Sequence, residues 1–145
     1  MKPKKIYIAA SFHGAARIFE EAEVLADLGH IITGVWFQSF DPLEKMWDGN
    51  FGGRIAEVMA LRDFSGIDRA KIVIIDTLEE SSSGGRNVEL GYALAKDKRI
   101  ILIGEPTTIF FSLIRESYEN WDQFHAESDI GATRIESTGG PDNGD

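Results

Sequence analysis

The chain has 145 residues, enough for one domain with a core of its own. Its 24 acidic residues against 15 basic ones, with no dense run of Lys and Arg, set it against polyphosphate and exclude a nucleic acid polymer as partner. Cysteine is absent, which removes disulfides, thiolate metal sites and a cysteine nucleophile together and agrees with a reducing, cytoplasmic setting.

The first element in chain order is "KIYIAA" (5 to 10), short, β-branched and apolar, the pattern of a strand buried on both faces. "SFHGAAR" follows it at a helix start. Ser11, His13, Gly14 and Arg17 there combine a hydroxyl, backbone N–H groups and a guanidinium, which make either an anion cradle or an ordinary N-cap beside a solvated Arg. In the helix over 15 to 28, Ile18, Ala22, Leu25 and Leu28 share one stripe, and Gly29 is its stop. "HIITGVWF" (30 to 37) reads as a second strand. The stretch "WFQSFDPLEKMWDGNF" (36 to 51) then holds Trp36, Phe37, Phe40, Trp47 and Phe51 in a long loop, dense enough in rings to stack a flat ligand, meet a subunit or fill the core.

A helix over 53 to 69 comes next. Steps of three and four along it give Ala56, Met59, Ala60, Asp63, Gly66, Ile67 and Ala70, a small and apolar face with Asp63 in its middle. A carboxylate there is functional or is paired with a cation such as Arg17. "KIVIID" (71 to 76) is the third strand and leads through "TLEESSSGGRN" into a helix over 87 to 96. Asn87 reads as the cap of that helix, which places Glu89 in the first turn, where the helix dipole favours an ionised carboxylate. "RIILIG" (99 to 104) is the fourth strand, 116 to 119 a weak fifth, and 121 to 127 the last helix.

Strands alternating with helices require right-handed crossovers and a parallel sheet covered on both sides. The expectation is a small doubly wound, flavodoxin-like α/β fold: five parallel strands in the order 2-1-3-4-5 in a three-layer αβα arrangement. The domain should span 1 to 127, with 128 to 145 a flexible tail. Ligands of such folds lie beyond the carboxyl ends of the strands, where strand order reverses. Neither GxGxxG nor GxxxxGK is present, which removes the main support for dinucleotide and P-loop readings. His13, His30 and His125 lack metal-ligand spacing, so no metal is expected. The longest apolar runs, "IVII" (72 to 75) and "IILI" (100 to 103), are too short to span a bilayer, and the N-terminus enters a strand rather than a signal-peptide core, so a soluble, unexported protein is expected.

Three segments carry a resemblance to the nucleoside 2-deoxyribosyltransferase family, which includes the 2'-deoxynucleoside 5'-monophosphate N-hydrolases. "KIYIAASFHGAAR" resembles its opening strand and loop, "LRDFSGIDRAKIVIID" its helix with an active-site aspartate, and "SSSGGRNVELGYALAKDKRIILI" its nucleophile signature. The resemblance implies Glu89 as a nucleophile towards C1' of a deoxyribosyl group and Asp63 as its assistant in proton movement. It also implies a deoxynucleoside or deoxynucleotide substrate, with Ser11 and Ser83 matching serines of the monophosphate hydrolases; the loop residues His13, Gly14, Arg17, Gly84 and Gly85 and the rings of Trp36 and Trp47 are the other candidate substrate contacts. No cofactor is implied, and a homo-oligomer is. Where many transferases have an acidic residue six positions before the nucleophile, this chain has Ser83, as the monophosphate hydrolases do. A transferase is the expected activity and a monophosphate N-hydrolase the alternative. A non-catalytic nucleotide-binding or sensing module is the rival from outside enzymology.

Overall fold

The computed structural model describes residues 2–38, 41–80 and 84–132. Five strands, β1 (Lys5–Ala9), β2 (Ile31–Ile32), β3 (Ile72–Asp76), β4 (Arg99–Ile103) and β5 (Glu116–Tyr118), form one sheet in the order β2-β1-β3-β4-β5. Every pairing is parallel. The helices are α1 (Ala15–Asp27), α2 (Pro42–Met46), α3 (Arg54–Arg69), α4 (Gly85–Ala95) and α5 (Trp121–Glu127), with single 3₁₀ turns at Phe12–Gly14 and Ile109–Leu113.

Alternation along β1 divides the core in two. Ile6 and Ile8 face α1 and α5, where they pack with Ile18, Leu25, Ile74, Ile101 and Phe124. Tyr7 and Ala9 face α3 and α4, among Ile67, Val73, Ile75, Leu90 and Leu102. Both faces of the central strands are therefore dry, which is why those strands read as unbroken apolar runs. Packing continues past the boundary expected at residue 127: Ser128 and Ile130 are buried, and the Ile130 carbonyl accepts a hydrogen bond from His30 Nε2 at 3.1 Å. Residues 133 to 145, the rest of the expected flexible tail, lie outside the described residues.

The second strand is much shorter than the 30 to 37 expected. After Ile32 the chain leaves the sheet and packs closely on the Tyr7 ring: a Cβ at Gly34 would lie 2.7 Å from Tyr7 Cε2. The lost ladder is replaced by other bonds, Trp36 Nε1 donating to the Ile8 carbonyl at 2.7 Å and Thr33 Oγ1 to the Gly66 carbonyl at 2.6 Å. The same ring sets how near α3 approaches, since a Cβ at Gly66 would meet Tyr7 Cδ2 at 2.9 Å. Tyr7 thus takes up room that β2 and a larger residue at position 66 would otherwise fill. Among the described residues no helix is long and apolar enough to cross a membrane.

Candidate active site

Strand order reverses at β1, and a crevice of about 430 Å³ opens over the carboxyl ends of β1 and β3. Glu89 from α4, Asp63 from α3, and Trp36 and Trp47 from the long loop all line it. Gly85 lines it too, so five of the site residues predicted from the sequence meet in one place.

The local geometry of Glu89 differs from the expectation. Gly84, with φ of +79°, adopts the left-handed backbone that glycine tolerates, and α4 starts at Gly85 with no side-chain cap. Asn87 is therefore inside the first turn rather than capping it, and Glu89 stands in the second turn. Helix-dipole stabilisation fades within the first turn and does not hold Glu89 ionised. Burial instead pushes its carboxyl up to about 8, with the charge of Asp63 adding to the shift. The opposing influences are a hydrogen bond from Tyr7 and the charge of Arg62. Tyr7 Oη donates to Glu89 Oε2 at 2.6 Å across the α3/α4 side of the sheet. Burial, then the neighbouring carboxylates, keep the Tyr7 phenol protonated and hence a donor.

Asp63 is half-buried on the crevice wall with Met59, whereas Gly66, Ile67 and Ala70, further along the same face, are buried in the core. One stripe thus serves a site at one end and packing at the other. The cation beside Asp63 is its own neighbour and not Arg17: Arg62 Nε and Nη2 each lie 3.3 Å from Asp63 Oδ1. Arg62 Nη1 also donates to both carboxylate oxygens of Asp41, at 2.8 and 2.7 Å. Asp41 is buried, caps α2 through the Leu43 N–H, and so ties the aromatic loop to α3. Burial raises the Asp63 carboxyl, and the attraction of Arg62 opposes that rise.

The loop after β1 is not a free anion cradle. Arg17 is held by Asp76, with Nη1 to Oδ2 at 2.7 Å and Nη2 to Oδ1 at 3.2 Å, and also by Glu79. Asp76 ends a fully buried strand and needs that cation, which is the physical reason Arg17 turns inward. Gly14 packs against the Glu79 carboxylate. Ser11 is buried, its hydroxyl accepting the His13 N–H at 3.2 Å, while the His13 side chain is exposed. None of these four residues walls the crevice. Ser83 and Phe40 lie outside the described residues. In the aromatic segment, Phe37 is core, whereas Trp36, Trp47 and an 82 % exposed Phe51 surround the crevice mouth.

Four residues of the site were not singled out in the sequence: Tyr7, Asp41, Arg62 and Arg86. Signals existed for two, since Tyr7 is the sole polar side chain inside an apolar strand and "DP" at 41 to 42 is a helix-start signature. Arg86 is buried at the foot of α4, its Nη1 donating to the Glu79 carbonyl at 3.0 Å. Among the described residues no group of three His, Asp or Glu side chains is arranged to hold a metal ion.

No protein-family model matches the chain, and no curated protein matches it. Solved structures share its fold. A 2-deoxyribosyltransferase from Bacillus psychrosaccharolyticus superimposes with a TM-score of 0.65 at 21 % identity, over 88 % of this chain and 96 % of that one. A CMP N-glycosidase from Clostridium botulinum does so with a TM-score of 0.52 at 18 % identity, over 83 % and 94 %. The parallel α/β fold is common to all three.

Proposed function

We propose that the chain breaks the N-glycosidic bond of a 2'-deoxynucleoside or its 5'-monophosphate, with Glu89 as nucleophile and a covalent glycosyl intermediate. The observation that carries this reading is the hydrogen bond from Tyr7 Oη to Glu89 Oε2, inside a crevice that also holds Asp63. With Oε2 held, Oε1 is the oxygen left to attack C1'. In the reaction the ionised carboxylate forms the C1'–O bond as the C1'–N bond breaks, and the departing base takes the electron pair and a proton. Asp63, raised by burial, is the nearby acid placed to supply that proton. A second base then accepts the sugar and Glu89 is regenerated, which makes the activity a transfer. Release to water is the alternative, and the N-glycosidase among the similar folds favours keeping it. Trp36 and Trp47 flank the place of the leaving base and suit stacking on a flat ring. The working form is a homo-oligomer in the cytoplasm, and the exposed Phe12, Met46 and Phe51 near the crevice are its candidate contacts.

The test is incubation with a panel of deoxynucleosides and monophosphates, with and without an acceptor base, followed by chromatography of the bases. Glu89→Gln keeps the shape but not the anion, so turnover should fall about 1000-fold or more while the fold persists. Intact-mass spectrometry of the wild type should show one deoxyribosyl adduct. Near wild-type turnover by Glu89→Gln would overturn the mechanism.

A further inference from the structure

One wall of the crevice comes from the aromatic loop and α3, and the side-chain donors on that wall are already committed. Trp36 Nε1 donates to the Ile8 carbonyl at 2.7 Å, and Trp47 Nε1 to the Asn50 carbonyl at 3.0 Å. Arg62 gives Nη1 to Asp41 and both Nε and Nη2 to Asp63. What the wall leaves open is an acceptor. Glu44 lines the crevice from the first turn of α2, is half-buried, and makes no hydrogen bond or ion pair among the described residues. Asp41, at the start of the same helix, is by contrast buried and held by Arg62 and the Leu43 N–H. Glu44 also borders a neighbouring cavity of about 470 Å³ walled by Phe12, Phe19 and Phe37, rings that give a carboxylate no conventional donor.

That inventory selects the edge of a ligand that suits this wall. A base stacked on tryptophan rings gives its faces to them and keeps its edge for hydrogen bonds. A carboxylate accepts through two oxygens in one plane, so two adjacent N–H donors in the plane of a ring satisfy it best, as a guanidinium fork does. Among the common bases guanine alone has such a pair, N1–H beside the 2-amino group. Hypoxanthine has the N1–H without the amino group. Adenine and cytosine set an amino group beside a ring nitrogen that itself accepts. Thymine has one N–H between two carbonyls, whose oxygens repel a carboxylate.

We propose that Glu44 selects the leaving base by accepting the N1–H and 2-amino hydrogens of guanine, so that the substrate class is 2'-deoxyguanosine or its 5'-monophosphate. This rests on the reading that a glycosidic bond is broken at Glu89 with the base beside Trp36 and Trp47. Glu44 takes no part in the bond-breaking step and acts on which base is held.

Carbocyclic 2'-deoxynucleosides, in which a methylene replaces the sugar ring oxygen and the bond to the base stays intact, test this by calorimetric titration of the wild type. The panel carries guanine, hypoxanthine, adenine, cytosine and thymine, each with and without a 5'-phosphate. Guanine should bind about 10- to 100-fold more tightly than hypoxanthine, the range for one hydrogen bond to a charged group, and thymine should bind most weakly. Glu44→Gln keeps the size but replaces one acceptor oxygen by a donor, so the guanine-to-hypoxanthine ratio should fall close to one. A ratio near one in the wild type overturns the proposal, as does a full ratio in folded Glu44→Gln. If Glu44→Gln does not fold, Glu44→Asp decides: a ratio lowered several-fold supports the site, and an unchanged one overturns it. Guanine selected through Glu44 but never released from deoxyguanosine or its monophosphate would remove the glycosidic reading and leave the base site standing. Release of all the bases from the natural nucleosides, with no preference among the carbocyclic ones, would do the reverse.

Discussion

Glu89 is stored with its proton on. Its carboxyl is pushed from an ordinary 4.5 up to about 8, first by burial, so between those values the folded chain holds a proton that the unfolded chain has lost. Two consequences follow from that one inequality. Attack requires the anion, so kcat/KM should climb as pH rises through neutrality and level above about 8. Stability should move the other way, falling as pH rises from about 4.5 to about 8, because ionising Glu89 in the folded state costs more than in the unfolded chain. Thermal melts at pH 5 and pH 8.5 check this: the wild type should lose more stability between them than Glu89→Gln, which cannot ionise there. A flat rate profile from pH 6 to 8 would contradict the assignment. The same comparison explains why the residue's position was legible while its charge state was not. "VELGYA" marks the residue, but its ionisation depends on Tyr7, 82 positions away in sequence, and on how deeply α4 is packed.

At the scale of elements, β1, β3 and β4 were readable because both their faces are dry and their residues, Tyr7 and Asp76 apart, are apolar inside the sheet. The end of β2 was not, since "HIITGVWF" has the same look and the close seat of Gly34 on the Tyr7 ring of the adjacent strand is a tertiary contact. The start of α4 was misplaced for a local reason. Asn87 satisfies the usual cap preference, but Gly84 reaches a left-handed conformation that begins the helix earlier. α2 was missed altogether: five residues are too short to show periodicity, and it persists through its Asp41 cap and the Asp41–Arg62 pair. Removing Asp41 takes both. Asp41→Ala should destabilise the fold by about 2 to 4 kcal/mol, combining a lost cap with a half-buried pair broken on one side. Urea unfolding measures the loss, and tryptophan fluorescence should shift with it because Trp47 directly follows α2. A change under about 0.5 kcal/mol would mean that the loop is held by its rings instead.

At the scale of the whole molecule, one end of the sheet gathers a basic cluster. The sequence shows no dense basic run, yet the parallel strands bring Lys2, Lys4, Lys5, Arg69, Lys71 and Arg99 together around the amino end of the sheet, opposite the crevice. His30 joins the chain's beginning to its late segment there, with Nδ1 accepting the Lys4 N–H at 3.0 Å and Nε2–H donating to Ile130. Burial lowers its pKa, so the folded chain prefers it neutral. The sign is opposite to that of Glu89: the contribution is present above the unfolded value near 6.5 and is lost as pH falls below it. Denaturation at pH 7.5 and 5.5 should show a loss in the wild type that His30→Gln reduces, and equal losses would assign acid sensitivity elsewhere. Arg62, described above as a shared partner, links the two ends of another scale. One guanidinium divides its attraction between a carboxylate that fixes the aromatic loop and a carboxylate that lines the crevice. A ligand that displaced the loop would redistribute that attraction and with it the proton affinity of Asp63. In the proposed reaction, a substrate that moves the loop would thereby adjust the acid that its own leaving group needs.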